Sequence, residues 1–81
     1  MISLIWDNNN DKLYKKFIFN DFSEAFGFIC RVSLIAEKLN HHPTWSNTWN
    51  TVELWLSTHD AGNIVTDKDI LLASEIDKLV S

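Results

Sequence analysis

Cysteine, proline and glycine are scarce in these 81 residues: Cys30, Pro43, and the pair Gly27 and Gly62. A single cysteine excludes an intramolecular disulfide and suits a reducing compartment, so the cytoplasm is the expected location. No linker, repeat or low-complexity segment interrupts the chain, and its length supports one domain over residues 1–81. Basic residues are few, seven Lys and Arg against eleven Asp and Glu, and only Lys15 and Lys16 are adjacent. A net charge of −4 with scattered cations argues against direct nucleic-acid binding. No apolar run approaches the ~20 residues of a membrane span. The opening MISLIWDNNN has no basic leader and turns polar after six residues, unlike a signal peptide.

Aromatic residues are abundant instead. Four tryptophans (Trp6, Trp45, Trp49, Trp55) and five phenylalanines exceed what so small a core readily hides. Some of them are therefore expected at a subunit interface or lining a pocket. Trp55 in particular falls on the strand face opposite Val52, Leu54 and Leu56.

The Asp and Asn residues at 7–11 predict a turn between strands at 2–6 and 13–20. Asp21 and Glu24 read as a capping box opening a helix. In that helix Phe22, Ala25, Ile29, Val32, Ala36 and Leu39 recur at helical spacing. Phe26, Phe28, Cys30 and Ile35 widen the apolar stripe, and Cys30 reads as an inert core residue. Pro43 disfavours helix at His42, so the helix should stop near Asn40 or His41. Residues 44–48 and 51–58 form a hairpin about Trp49 and Asn50, the second strand alternating strictly. Thr66 and Asp69 cap a last helix whose face is Ile70, Ala73, Ile76, Asp77 and Val80. The expected class is α+β in two layers: a four-stranded antiparallel sheet with helices on one face, in the order β-β-α-β-β-α.

Histidine is also scarce, and all three fall between residues 41 and 59 at element boundaries. His41 and His42 close the helix, and His59 ends the hairpin. Folding that hairpin brings its far ends together and His59 towards His41 and His42. A lone histidine at a helix end commonly does no more than stabilise the last carbonyls. Three on one hairpin, with Pro43 fixing the entry, is a less ordinary pattern. Glu37, one turn before His41, is placed either to orient that ring or to form a solvated pair. Trp45 and Trp49 offer an aromatic wall for a flat ligand. Asp60 and Asp69 are candidates to support the site, although Asp69 also serves as a cap. The histidines with Asp60 could supply zinc ligands. Adjacent histidines rarely reach one ion together, however, and no i,i+4 histidine pair exists, so a metal site is not expected.

The string Glu37-x-x-x-His41-His42-Pro43, an aromatic at Trp49, Thr58-His59-Asp60 and the later Asp69 resembles the pterin-4a-carbinolamine dehydratases. The resemblance runs from Trp6 onward. It includes Phe17-x-Phe19-x-Asp21-Phe22-x-x-Ala25-Phe26-x-Phe28, Ala36-Glu37 and Asp69-x-x-x-Ala73. Relative to the family, the chain lacks an N-terminal helix and a Gly-Trp before the first strand. Its stretch Ala61-Gly62-Asn63-Ile64-Val65-Thr66 is one residue longer than the family's turn.

The resemblance implies a hydro-lyase that dehydrates 4a-hydroxytetrahydropterin to the quinonoid dihydropterin, as in tetrahydrobiopterin recycling, with no cofactor needed, metal or redox, since nothing is oxidised or reduced. A base takes the proton from the ring nitrogen beside the carbinol carbon, and an acid protonates the departing hydroxyl. Imidazole, with a reference pKa near ~6.5, can do either at neutral pH. By the same resemblance His41 and His59 are the acid–base pair and His42 a binding contact. Glu37 would position His41, with Pro43 and Trp45 beside the pterin and Asp60 and Asp69 polarising the site. The family also serves in animals as a dimerisation cofactor for a homeodomain transcription factor, and some microbial relatives suggest a molybdopterin-related role. Surplus apolar surface on the central helix and an open sheet edge imply a homodimer or homotetramer.

Overall fold

Strict alternation at residues 51–56 leaves Val52, Leu54 and Leu56 fully buried, and the rest of the fold is arranged over that apolar face. The structure, a computed structural model, describes residues 6–80. In chain order these form strands β1 (Asp7–Asn9) and β2 (Lys12–Ile18), helix α1 (Phe22–Leu39), strands β3 (Thr44–Thr48) and β4 (Thr51–Leu56), a 3-10 turn (His59–Ala61) and helix α2 (Asp67–Asp77). The strands make one antiparallel sheet in the order β1-β2-β4-β3. Both helices cover the face that carries Phe17, Val52, Leu54 and Leu56, packing Ala25, Phe28, Ile29, Val32, Leu72, Ala73 and Ile76 against it. This is the expected two-layer α+β architecture in the expected order.

The first turn is tighter than the composition predicts. Asp7, Asn8 and Asn9 pair with Tyr14, Leu13 and Lys12, so they are strand and not turn. Only Asn10 (φ 54°) and Asp11 (φ 61°) make the reversal, in the left-handed region that Asn and Asp tolerate. An exposed edge strand needs backbone pairing but no apolar side chain, which is why its sequence reads as a turn. Of the strand predicted at residues 2–6, Trp6 is not in a strand and directly precedes β1, and the rest lies outside the described residues.

Helix α1 begins as predicted at Asp21, whose carboxylate accepts from the Glu24 amide at 2.8 Å. Glu24 reaches one residue further back than a capping box requires, accepting from the Asn20 amide at 3.0 Å. Ala25, Phe28, Ile29, Val32 and Ala36 form the buried stripe. Cys30 is exposed, contrary to its reading as core. It follows Ile29 by one residue, a rotation of about 100° that carries it off the stripe. Phe22 and Phe26 are likewise exposed, whereas Phe28 stacks on Phe17 and Phe19 at 4.7 and 5.0 Å between ring centres.

Helix α2 is rotated from its predicted face. Asp69, Leu72, Ala73 and Ile76 are buried, while Ile70 is exposed. The Asp69 cap points inward, and the apolar positions three, four and seven residues on follow its phase.

A second charge lies in the core where alternation predicts none. Lys15, between Leu13 and Phe17 on β2, is only 5% exposed. Its ammonium sits 2.8 Å from the Asp77 carboxylate and 5.1 Å from the centre of the Phe17 ring. The Trp6 indole N–H donates to both Asp77 oxygens at 3.1 Å. Truncating one partner of a buried pair strands the other charge at a cost of about 3–5 kcal/mol. Asp77→Ala should show that loss in urea unfolding. Lys15→Met, which deletes the more buried charge but keeps an apolar chain, should cost markedly less. Equal losses would mean that the ammonium does not depend on Asp77.

On the uncovered sheet face, the Tyr14 hydroxyl donates to Glu53 Oε2 at 2.6 Å and its ring packs on Trp55 at 5.4 Å. That hydrogen bond, then burial and the negative charges of Glu53 and Asp7, push the phenol from an ordinary 10.0 up to about 12. The folded-state value is raised, so the bond's stabilisation is fully present below the unfolded tyrosine's pKa and is lost as pH rises through about 12. Tyr14 is the only tyrosine, so tyrosinate absorbance reports it directly. Glu53→Gln should move the midpoint down towards the ordinary value, and an unchanged midpoint would rule out Glu53 as the cause.

Candidate active site

One end of the molecule gathers the C-terminus of α1, the start of β3, the 3-10 turn after β4 and the N-terminus of α2. Helix α1 stops because Asn40 turns left-handed (φ 52°), with its amide bonded to the Glu37 carbonyl at 3.2 Å. The His41 amide reaches the Ala36 carbonyl at 3.0 Å, completing a Schellman closure. His41 is thus held by its own backbone before any side-chain contact, and Pro43 then leads into β3.

The His41 ring is 12% exposed, and its Nε2 lies 2.6 Å from Oδ1 of Asp69, whose side chain has no exposure. The other Asp69 oxygen accepts from the Thr58 hydroxyl at 2.7 Å and the Thr66 amide at 2.9 Å. Thr66 and Asp69 make the capping box of α2 predicted from their spacing. Asp69 therefore both caps α2 and links His41 to Thr58, the residue before His59. No buried side-chain nitrogen or oxygen among the described residues lacks a hydrogen-bond partner.

The pairing of Glu37 differs from expectation. Its Oε1 lies 3.0 Å from Nε2 of His42, and His41 belongs to Asp69. An i,i+4 pair requires a continuous helix, and the left-handed Asn40 breaks it before His41. His42 and Glu37 are both exposed.

His59 begins the 3-10 turn, exposed, with Nδ1 3.2 Å from Oδ1 of Asn63. The turn is closed by Gly62 (φ 89°) and Asn63 (φ 60°), and by a bridge between Thr58 and Ile64. Asp60 and Thr58 line a hollow with Ala61, Thr66, Asp67 and Lys68. Trp45 opposes Leu54 in register, on the helix side of edge strand β3, and is partly exposed there. Trp49 lies in the turn at the far end of β3, roughly 13 Å along the strand at ~3.3 Å per residue. The two indoles therefore do not form one wall, since the strand between them runs away from the histidines.

His41, His42 and His59 thus occupy the same end of the sheet, where β3 begins and β4 finishes. Among the described residues, no three His, Cys, Asp or Glu side chains gather closely enough to hold a metal ion. Sequence reasoning missed Thr58 and Asn63 as supporting side chains. The available signal for Thr58 was its place beside His59 at the end of an alternating strand, which turns its side chain inward.

A sequence profile described as pterin 4 alpha carbinolamine dehydratase matches residues 3–79. A protein of Prochlorococcus marinus (strain NATL2A), provisionally named pterin-4-alpha-carbinolamine dehydratase, is 49% identical over 76 residues, covering 94% of this chain and 79% of its own length. The crystal structure of a transcriptional coactivator/pterin dehydratase from Brucella melitensis superposes with a TM-score of 0.88 at 40% identity, over 94% of this chain and 82% of that one. A pterin dehydratase-like protein identified as a RuBisCO assembly factor in the alpha-carboxysome shares the fold at a TM-score of 0.77 and 19% identity, over 94% and 89% of the two chains. At that identity the likeness concerns the fold alone. The profile match spans almost the whole chain and the Prochlorococcus relative is close in sequence, so this chain belongs to the pterin-4a-carbinolamine dehydratase family.

Proposed function

We propose that the chain is a hydro-lyase acting on 4a-hydroxytetrahydropterin, the step that regenerates a quinonoid dihydropterin in tetrahydrobiopterin recycling. The observation that carries this reading is the His41–Asp69 contact at 2.6 Å, with the carboxylate fully buried and the ring at the end of the sheet that also holds His42 and His59. A buried carboxylate that orients an imidazole is an arrangement suited to general acid–base catalysis. In the reaction the C4a–oxygen bond breaks and the hydroxyl leaves as water, protonated by one histidine. The neighbouring ring nitrogen gives its proton to the other, and no electrons are exchanged with a second reactant. His41 and His59 fill these roles, while His42, paired with Glu37, binds the substrate. Pro43 and Trp45 flank the ring, and Asp60 borders the hollow beside Thr58.

His41→Ala and His59→Ala should each lower turnover by roughly 10²–10⁴-fold. The assay is stopped-flow dehydration of enzymatically generated 4a-hydroxytetrahydropterin. Wild-type rates in both variants would overturn the assignment.

A second reading concerns assembly and rests on the outer face of α1. Phe22, Phe26 and Leu34 are exposed there, Leu34 to 71%. Positions spaced by four form a continuous ridge on a helix, here with the exposed Cys30 between Phe26 and Leu34. A second copy of the chain, as homodimer or homotetramer, is the proposed cover. Light scattering at micromolar concentration should give a mass of at least two chains, and Leu34→Glu should lower it. A fully active single chain would overturn this reading.

A further inference from the structure

Asp69 has two oxygens, and among the described residues three groups lie within hydrogen-bond distance of them. Oδ2 faces the Thr66 amide at 2.9 Å, which can only donate, and the Thr58 hydroxyl at 2.7 Å, which donates as well. Thr58 has one hydroxyl hydrogen and gives it to Asp69. In the 2.5 Å contact between the Thr58 and Thr66 hydroxyls, Thr66 is therefore the donor. The Thr66 oxygen in turn accepts from the Lys68 amide at 3.3 Å. Each hydrogen in this chain points towards the carboxylate, and Oδ2 accepts two of them. Oδ1 is left for the His41 ring at 2.6 Å. A carboxyl group is a far stronger acid than an imidazolium, so the shared hydrogen belongs to the ring.

We propose that the Thr66–Thr58–Asp69 chain fixes the tautomer of His41, with hydrogen on Nε2 and the lone pair on Nδ1, and that Thr58 is a positioning residue for that imidazole. Nδ1 is then the atom of His41 that exchanges a proton with substrate. This last step rests on the dehydratase reading above, whereas the tautomer does not.

Thr58 suits this task because its place is set without help from the site. Its amide donates to the Ile64 carbonyl at 2.8 Å, and its carbonyl accepts from Ala61 and Asn63 at 3.2 and 3.0 Å. The residue is buried, 6% exposed, so water does not compete for the hydroxyl. A hydroxyl fixed by the loop holds Asp69 in one rotation, and Asp69 holds the ring. Orientation settled before substrate arrives is not an entropic cost of the reaction step.

The test combines nitrogen-15 NMR of the histidine rings with steady-state kinetics, on the whole chain. In wild type the neutral His41 ring should show the Nε2–H pattern. Thr58→Val keeps the side-chain shape but removes the hydroxyl. It should give a mixed tautomer for His41 and lower kcat by roughly 10- to 100-fold with KM little changed. Thr58→Ser should restore both signals. A wild-type ring in the Nδ1–H form would overturn the proposal, and that measurement needs no variant to fold. So would a Thr58→Val protein with an unaltered tautomer and kcat, or a Thr58→Ser protein as impaired as Thr58→Val. The ring signals are read without turnover. Absence of dehydratase activity in wild type would therefore fail the proposed reaction alone, and a reversed tautomer would fail this inference alone.

Discussion

A carboxylate with no solvent exposure is tolerated in a protein interior only when its lone pairs are engaged, because leaving them bare costs several kcal/mol. Asp69 meets that condition through Thr58, Thr66 and His41, which come from three separate parts of the chain. Its demands therefore fix where α2 starts, how the turn after β4 closes, and which way the His41 ring faces. The phase of α2 follows as well, since the apolar residues beyond Asp69 must share its direction.

The opposite end of α2 is held by a different kind of contact. Asp77 closes the helix against the ammonium of Lys15 and the indole of Trp6. Leu72, Ala73 and Ile76 lie between the two carboxylates and supply apolar burial without direction. Dispersion and the hydrophobic effect bring α2 onto the sheet, and the two carboxylates select one placement among many of similar area. Only the first of the two touches the histidine end.

Much of this was legible in the sequence where a residue does one thing. The alternation of Val52, Leu54 and Leu56 gave their face, and Thr66-x-x-Asp69 gave the start of α2. Trp49 and Asn50 marked the turn, and the three histidines marked the end of the sheet that holds the candidate site. Legibility failed where a residue does two things. Asp69 reads both as a cap and as a candidate support for the site, but nothing in its spacing says which oxygen serves which role or that its partner is His41. Glu37 stands one turn before His41 and so reads as its partner, but the left-handed Asn40 redirects the chain within one residue. The burial of Lys15 left no trace in the sequence, since alternation carries no record of a counter-charge 62 positions away. Asp7, Asn8 and Asn9 read as a turn because edge pairing uses backbone groups that every residue has.

Sheet order carries a further consequence, one of kinetics. Strands β3 and β4 are joined by a two-residue turn, whereas β2 meets β4 only across the whole of α1. The local hairpin can close on its own, but the β2–β4 ladder must wait for a long loop to be drawn in. His41, Thr58, His59 and Asp69 all lie on the later part of the chain, after that loop's first anchor. The N-terminal hairpin contributes none of them. It completes the sheet and seals the core, while the candidate site is built from residues outside it.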